Sequence, residues 1–147
     1  MSLKDQLSEQ QKNAMRARDK ARLGTLRMLM AEIKQREIDS RETLDDDGII
    51  AVITKMVKQR KDAASQFEQA GRQDLVDNER QEIAVLQEFL PQPLTEDELD
   101  ALLMQAIADT GASGMQDMGK VMAVLKPQIQ GRADMGKVST IIKAKLA

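Results

Sequence analysis

The 147 residues contain no cysteine, histidine, tryptophan or tyrosine, and Phe67 and Phe89 are the only aromatic side chains. Each gap removes a chemistry. Without Cys or His there is no thiolate nucleophile, no imidazole base and no Cys or His metal site, and a complete Ser-His-Asp arrangement is excluded. Base stacking on aromatic platforms, the common way of holding single-stranded RNA, has almost nothing to work with. No segment approaches the ~18 consecutive apolar residues of a membrane span, and the first residues lack the apolar centre of a signal peptide. The expectation is a soluble, cytoplasmic protein with no cofactor, no catalytic residue and no metal site.

Charge of one sign is not in excess either. Twenty-two Lys and Arg stand against 24 Asp and Glu, a net −2, which by itself does not suggest a nucleic-acid binder. The distribution is uneven: residues 1–41 hold ten Lys and Arg against six Asp and Glu, a local +4.

Proline is scarce, at three, and two of the three stand at Pro91 and Pro93. Neither ring tolerates a helix interior, and each pushes the residue before it toward an extended backbone. Thr95 follows, with Glu98 three residues on, the pattern of a capping box. One helix therefore ends near Leu90 and another starts near Thr95. The joint divides an N-terminal helical domain, 1–92, from a small C-terminal three-helix domain, 93–147.

Start and stop signals organise the rest. Ser2 opens a first helix running to about Arg18 with Leu3, Leu7, Ala14 and Ala17 on its apolar stripe. Asp19 opens a second in which Leu23, Leu26, Met30 and Ile33 recur at steps of three and four. Asp45, Asp46 and Asp47 put negative charge at the positive pole of a third, which Gly71 stops, and a fourth runs from about Gln73. The fold class is all-α: a bundle of about four helices, then three short ones. The fifth helix follows Thr95. The sixth and seventh come from an internal repeat, in which Asp117-Met118-Gly119-Lys120-Val121 is echoed by Asp134-Met135-Gly136-Lys137-Val138 seventeen residues later. Asp117 and Asp134 are the expected caps, and Pro127 is expected to kink or end the sixth helix.

The repeat is a poor choice for helix stability alone. Gly costs about 1 kcal/mol against Ala in a helix interior, and Lys in a first turn opposes the macrodipole by roughly 0.3–1 kcal/mol. A bare backbone with N–H groups and a cation beside it is what an anion such as phosphate requires. The structural alternative, in which each Lys pairs with its own Asp and each Gly lets helices approach, stays open. A nucleotide-binding P-loop does not fit: Val121 and Val138 replace the hydroxyl that holds magnesium, and no strand precedes either segment. Lys58, Arg60 and Lys61 on the third helix, with Arg16, Arg18, Lys20, Arg22 and Arg27 before it, form a secondary basic set. The interleaved acids favour a solvated face with intrahelical pairs. Arg72, Asp74, Glu79 and Glu82 are expected to form one network fixing the turn between the third and fourth helices.

Taken as an ordered series, Leu26-Arg27-Met28-Leu29, Lys58-Gln59-Arg60-Lys61-Asp62, Phe67-x-x-Ala70-Gly71-Arg72-x-Asp74-Leu75, Glu79-x-x-Glu82-Ile83, Leu90-Pro91 and the two Gly-Lys-Val segments resemble the GatB/YqeY family, its free-standing YqeY-like members most. The resemblance implies an all-helical protein similar to the tail region of the GatB component of the tRNA-dependent glutamyl/aspartyl amidotransferase, where the related region contacts tRNA. It implies tRNA or another structured RNA as partner, and beside it an amidotransferase or other translation-related protein. Gly119, Lys120, Gly131, Arg132, Gly136 and Lys137 are then the candidate phosphate contacts. Family-level descriptions also carry carbon-nitrogen ligase activity with glutamine as amido donor; this chain has neither a matching ATP and magnesium site nor an amidase nucleophile set. The rival classes are an enzyme or accessory acting only in a complex, and a helical adaptor for another protein.

Overall fold

Five of the helix starts are built by a side chain that takes an orphan N–H of the first turn, which is how an amphipathic segment acquires a defined beginning. In the computed structural model, which describes residues 2–147, the backbone forms α1 (Leu3–Arg16), α2 (Lys20–Ser40), α3 (Asp46–Gln69), α4 (Gln73–Gln87), α5 (Glu96–Thr110), α6 (Met118–Ile129) and α7 (Met135–Leu146). A 3-10 turn, Met115–Asp117, precedes α6, and no strand occurs among the described residues. Ser2 Oγ accepts from the Asp5 N–H, Asp19 Oδ1 from Arg22 and Asp45 Oδ1 from Gly48. The capping box forms in full: Thr95 Oγ1 accepts from Glu98 N–H at 3.1 Å and Glu98 Oε1 from Thr95 N–H at 3.4 Å.

The stops are equally local. Gly71 adopts φ 71°, and the N–H of Arg72 reaches back to the Phe67 carbonyl at 2.9 Å. Gly111 does the same for α5 at φ 65°. A side chain at either position would be held in the left-handed region, which L-residues resist. Pro91 and Pro93 leave residues 91–95 without regular structure. Pro127 does not end α6 at once. The helix continues to Ile129, where Gln130 turns the chain to φ −57°, ψ 126° and Gly131 follows at φ 77°.

The chain separates into two compact units, the first ending at Leu90 and the second running from Pro91 to Ala147. In the first, Leu26, Leu29 and Ile33 of α2, Ile49, Val52 and Ile53 of α3, and Val85 and Leu86 of α4 form the core, with Leu3, Leu7 and Ala14 of α1 against it. Leu29 is fully buried, whereas Leu23 and Met30, expected inside, are only partly so. In the second, the repeat has a packing meaning. Val121 and Val138, Leu125 and Ile142, and Ile129 and Leu146 are pairs seventeen residues apart, and all six are buried. Leu103 and Ala106 of α5 complete that core.

Candidate nucleic-acid interface

The aliphatic half of the repeat points inward in both copies, and the Gly-Lys half stays in water: Gly119, Lys120, Gly136 and Lys137 are all exposed. Their local environments differ. Asp134 is extended and its Oδ1 accepts from the Gly136 N–H at 2.8 Å, the cap that the sequence leads one to expect. Asp117 is not a cap. It sits in the 3-10 turn at φ −93°, ψ 0°, and its Oδ2 accepts instead from the Ser113 N–H at 3.0 Å. The reason lies upstream, where the Gly114 and Met115 carbonyls already take the N–H groups of Asp117 and Met118. The Met118 amide at the start of α6 is thus engaged by the turn, and the Gly136 amide at the start of α7 by its own aspartate.

Side-chain charge is the other thing these starts offer an anion. Lys120 Nζ lies 3.8 Å from Asp117 Oδ1, with its side chain 70% exposed. A contact of that length in water holds the cation weakly. Lys137 takes part in no ion pair among the described residues. A Cβ added at Gly119 would meet nothing within 4 Å, whereas at Gly136 it would lie 3.2 Å from Asp134 Oδ1. Packing within the chain thus gives no reason for the bare backbone at Gly119.

Gly131 and Arg132 are structural in their immediate contacts. Gly131 supplies the positive φ of the turn between α6 and α7. Arg132 Nε donates to the Gln92 carbonyl at 3.0 Å, and the Arg132 carbonyl accepts from the Leu94 N–H at 2.9 Å. Both bonds tie the extended segment before α5 to that turn. On α3, Lys58 and Lys61 are exposed, but Arg60 is a clasp: its Nε donates to Glu82 Oε2 of α4 at 2.8 Å and its side chain is 15% exposed.

The expected network around Glu79 and Glu82 divides. Arg72 and Asp74 form an exposed local pair at 3.2 Å, and Glu82 belongs to Arg60. Glu79 is half-buried, and burial, with the neighbouring Glu82 charge adding to it and Arg60 opposing, pushes its carboxyl above the usual range. No group of three or more Asp or Glu among the described residues is placed to hold a metal ion, and no helix there is long and apolar enough to cross a membrane.

A feature that composition conceals is the order of charges in the second unit. Residues 91–117 carry six acids and no base, while residues 118–147 carry six bases and one acid. The net −2 of the chain averages over this separation, so a count taken in windows was the signal to read. Lys145 pairs with Asp100 across the two parts at 2.8 Å, and Lys120 stands 3.8 Å from Asp117 at their boundary.

Comparison with known proteins places this architecture. Residues 4–146 match the family model described as Yqey-like protein. Among curated relatives, "Altered inheritance of mitochondria protein 41, mitochondrial" of Kluyveromyces lactis is 36% identical over 107 residues, 70% of this chain and 57% of that protein. Its namesake in Lachancea thermotolerans is 35% identical over 106 residues, again 70% and 57%. That of Pyrenophora tritici-repentis is 32% identical over 120 residues, 78% of this chain and 66% of the relative. The chain thus spans less than two thirds of the length of these relatives. Since the family match begins in the first turn of α1 and ends on the last residue of α7, the chain belongs to the Yqey-like protein family.

Proposed function

We propose that the second unit binds the phosphate backbone of a folded RNA, with tRNA as the first candidate, through the exposed lysines of α6 and α7. The observation that carries this reading is the +5 charge of residues 118–147, with Lys120 and Lys137 standing in water at the two helix starts. Lys126 and Lys143 are exposed as well. Counterion release makes such a surface a sequence-independent phosphate binder, and a chain almost without aromatics suits a folded RNA better than splayed bases. The bare backbone at Gly119 favours close approach. Likeness to the tail region of the amidotransferase GatB component supports the same ligand, with glutamine-dependent carbon-nitrogen ligase chemistry left to catalytic partners.

The test is a titration of bulk tRNA at several salt concentrations, beside a Lys120→Ala, Lys137→Ala double variant of matched helix content. Loss of one or two phosphate contacts should lower the slope of log affinity against log salt by roughly 1 to 2. Absence of binding by the wild type at low salt would refute the reading. A protein adaptor is then the stronger alternative, since Met104 and Met115 stand 56% and 45% exposed in the same unit. Glutamine-dependent amide transfer by the purified chain alone would instead make it an enzyme.

A further inference from the structure

Along α2, Lys20, Arg27 and Lys34 recur every seven residues, and Arg41 continues the series as the C-cap. Between them, at the intervening steps of four, stand Gly24, Ala31 and Ile38. All seven positions are exposed. Alternating steps of four and three keep residues on one line of a helix, and seven residues rise about 10.5 Å, so the four cations form a row roughly 30 Å long. The opposite side of the same helix carries the buried Leu26, Leu29 and Ile33.

No acid interrupts the row. Glu32 and Asp39 each follow a row position by one residue, which places them about 100° around the helix, and Asp39 Oδ1 accepts from Gln35 Nε2 at 2.9 Å. Glu37 is held by Lys4 at 2.6 Å. None of Lys20, Arg27, Lys34 and Arg41 forms an ion pair among the described residues. This contrasts with Arg22, Arg60 and Arg80, which the same unit uses to clasp helices together. A Cβ at Gly24, in the middle of the helix, would meet nothing within 4 Å, so the chain itself does not need the gap. Arg41 stands at φ 60°, where glycine is the usual residue.

The geometry points to this face as a second phosphate-binding surface, on which the backbone of a structured RNA lies along the row while Gly24 and Ala31 leave room for close approach. A partner helix fits less well. A two-helix seam needs apolar residues at both repeating positions, and here one position is always a cation and the other offers a single large apolar side chain, Ile38. Insertion into a membrane surface requires an apolar face that this line lacks. The ligand class rests on the RNA reading above; the geometry rests on the first unit alone.

The experiment uses the full chain carrying Lys20→Gln, Arg27→Gln and Lys34→Gln, matched to wild type in helix content, with bulk tRNA as probe between about 50 and 200 mM salt. Loss of two to three phosphate contacts should lower the salt slope by about 2 to 3, whatever the Lys120, Lys137 variant does. An unchanged slope in the triple variant, with tRNA still bound, would overturn this inference and leave the reading of α6 and α7 standing. A reduced slope in the triple variant with none in the Lys120, Lys137 variant would do the reverse. If poly-L-glutamate displaces tRNA as well as an RNA of equal charge does, the row is a general polyanion surface and the assignment to RNA falls.

Discussion

The two units use charge in different ways. In the first, arginine and lysine side chains join one helix to another: Lys4 to Glu37, Arg22 to Glu88, Arg60 to Glu82 and Arg80 to Glu68. Most of those pairs are solvent-exposed in part and are worth little individually, but Arg60 and Glu82 are largely covered and fix α3 against α4. In the second unit only Lys145 and Asp100 join two helices. Opposite charges are instead sorted along the chain, with α5 acidic and α6 and α7 basic. Cations that hold a fold together cannot also be offered to a ligand, so the free ones mark where binding is to be sought. By that criterion α6 and α7 stand with the outer row of α2, and Arg60 is removed from the candidates.

The largest effect expected is from Ile142→Ala. Truncating a fully buried isoleucine costs about 2–5 kcal/mol, and a unit as small as Pro91–Ala147 has a total stability of only about 3–5 kcal/mol. Hydrogen exchange on the full chain should show the amides of α5, α6 and α7 losing protection while those of α1 to α4 keep theirs. Leu29→Ala removes a similar volume from the thirteen-residue core of the first unit and should leave that unit folded but weakened. If Ile142→Ala strips protection from all seven helices together, the units share one stability and the comparison between them fails.

Much of this was readable from local chemistry. The caps at Ser2, Asp19 and Thr95 and the stop at Gly71 act over a few residues, so their consequences are visible in sequence. Asp117 was not readable, because whether it caps depends on how residues 110–114 deliver the chain, and they deliver it already wound into a 3-10 turn. The inward face of α2 was displaced for a related reason. Leu23, Leu26, Leu29, Met30 and Ile33 offer apolar side chains around more than one face, and packing against α1, α3 and α4 selects among them. Arg60 reads as one of several cations until the fold brings Glu82, twenty-two residues on, to its Nε. The row on α2 was present in the spacing, but only burial shows that its seven positions share the solvent side.

A smaller effect probes whether the two copies of the repeat are equivalent. Gly119→Ala meets open space in a helical backbone and should stabilise the second unit by about 0.4–1 kcal/mol, chiefly by restricting the unfolded chain. Gly136→Ala places its methyl 3.2 Å from the capping Asp134 oxygen and should gain less or lose stability as the cap shifts. Thermal unfolding of both variants decides the point; equal gains would mean that the difference between the two starts is energetically empty. The same Gly119→Ala protein, more stable yet weaker in tRNA binding, would separate a role in approach from a role in folding.

The smallest effect concerns carboxylates of the first unit and has opposite signs at two positions. Glu79 is pushed above its ordinary 4.5 by burial and by Glu82, so folding favours its protonated form. The stability it contributes is complete below 4.5 and is lost as pH rises through the raised value. Glu79→Gln should therefore raise the thermal midpoint slightly at neutral pH, with the gain vanishing as pH falls to about 4. Glu37 is held below 4.5, first by the hydrogen bond from Lys4 and then by the Leu44 N–H at 2.8 Å. Its contribution is present above 4.5 and is lost as pH falls through the lowered value. Glu37→Gln should accordingly lower the midpoint at neutral pH and converge on wild type in acid. Opposite pH trends in the two variants would show that these side chains act on stability through their charge; parallel trends would mean that the first unit tolerates its ion pairs rather than depending on them.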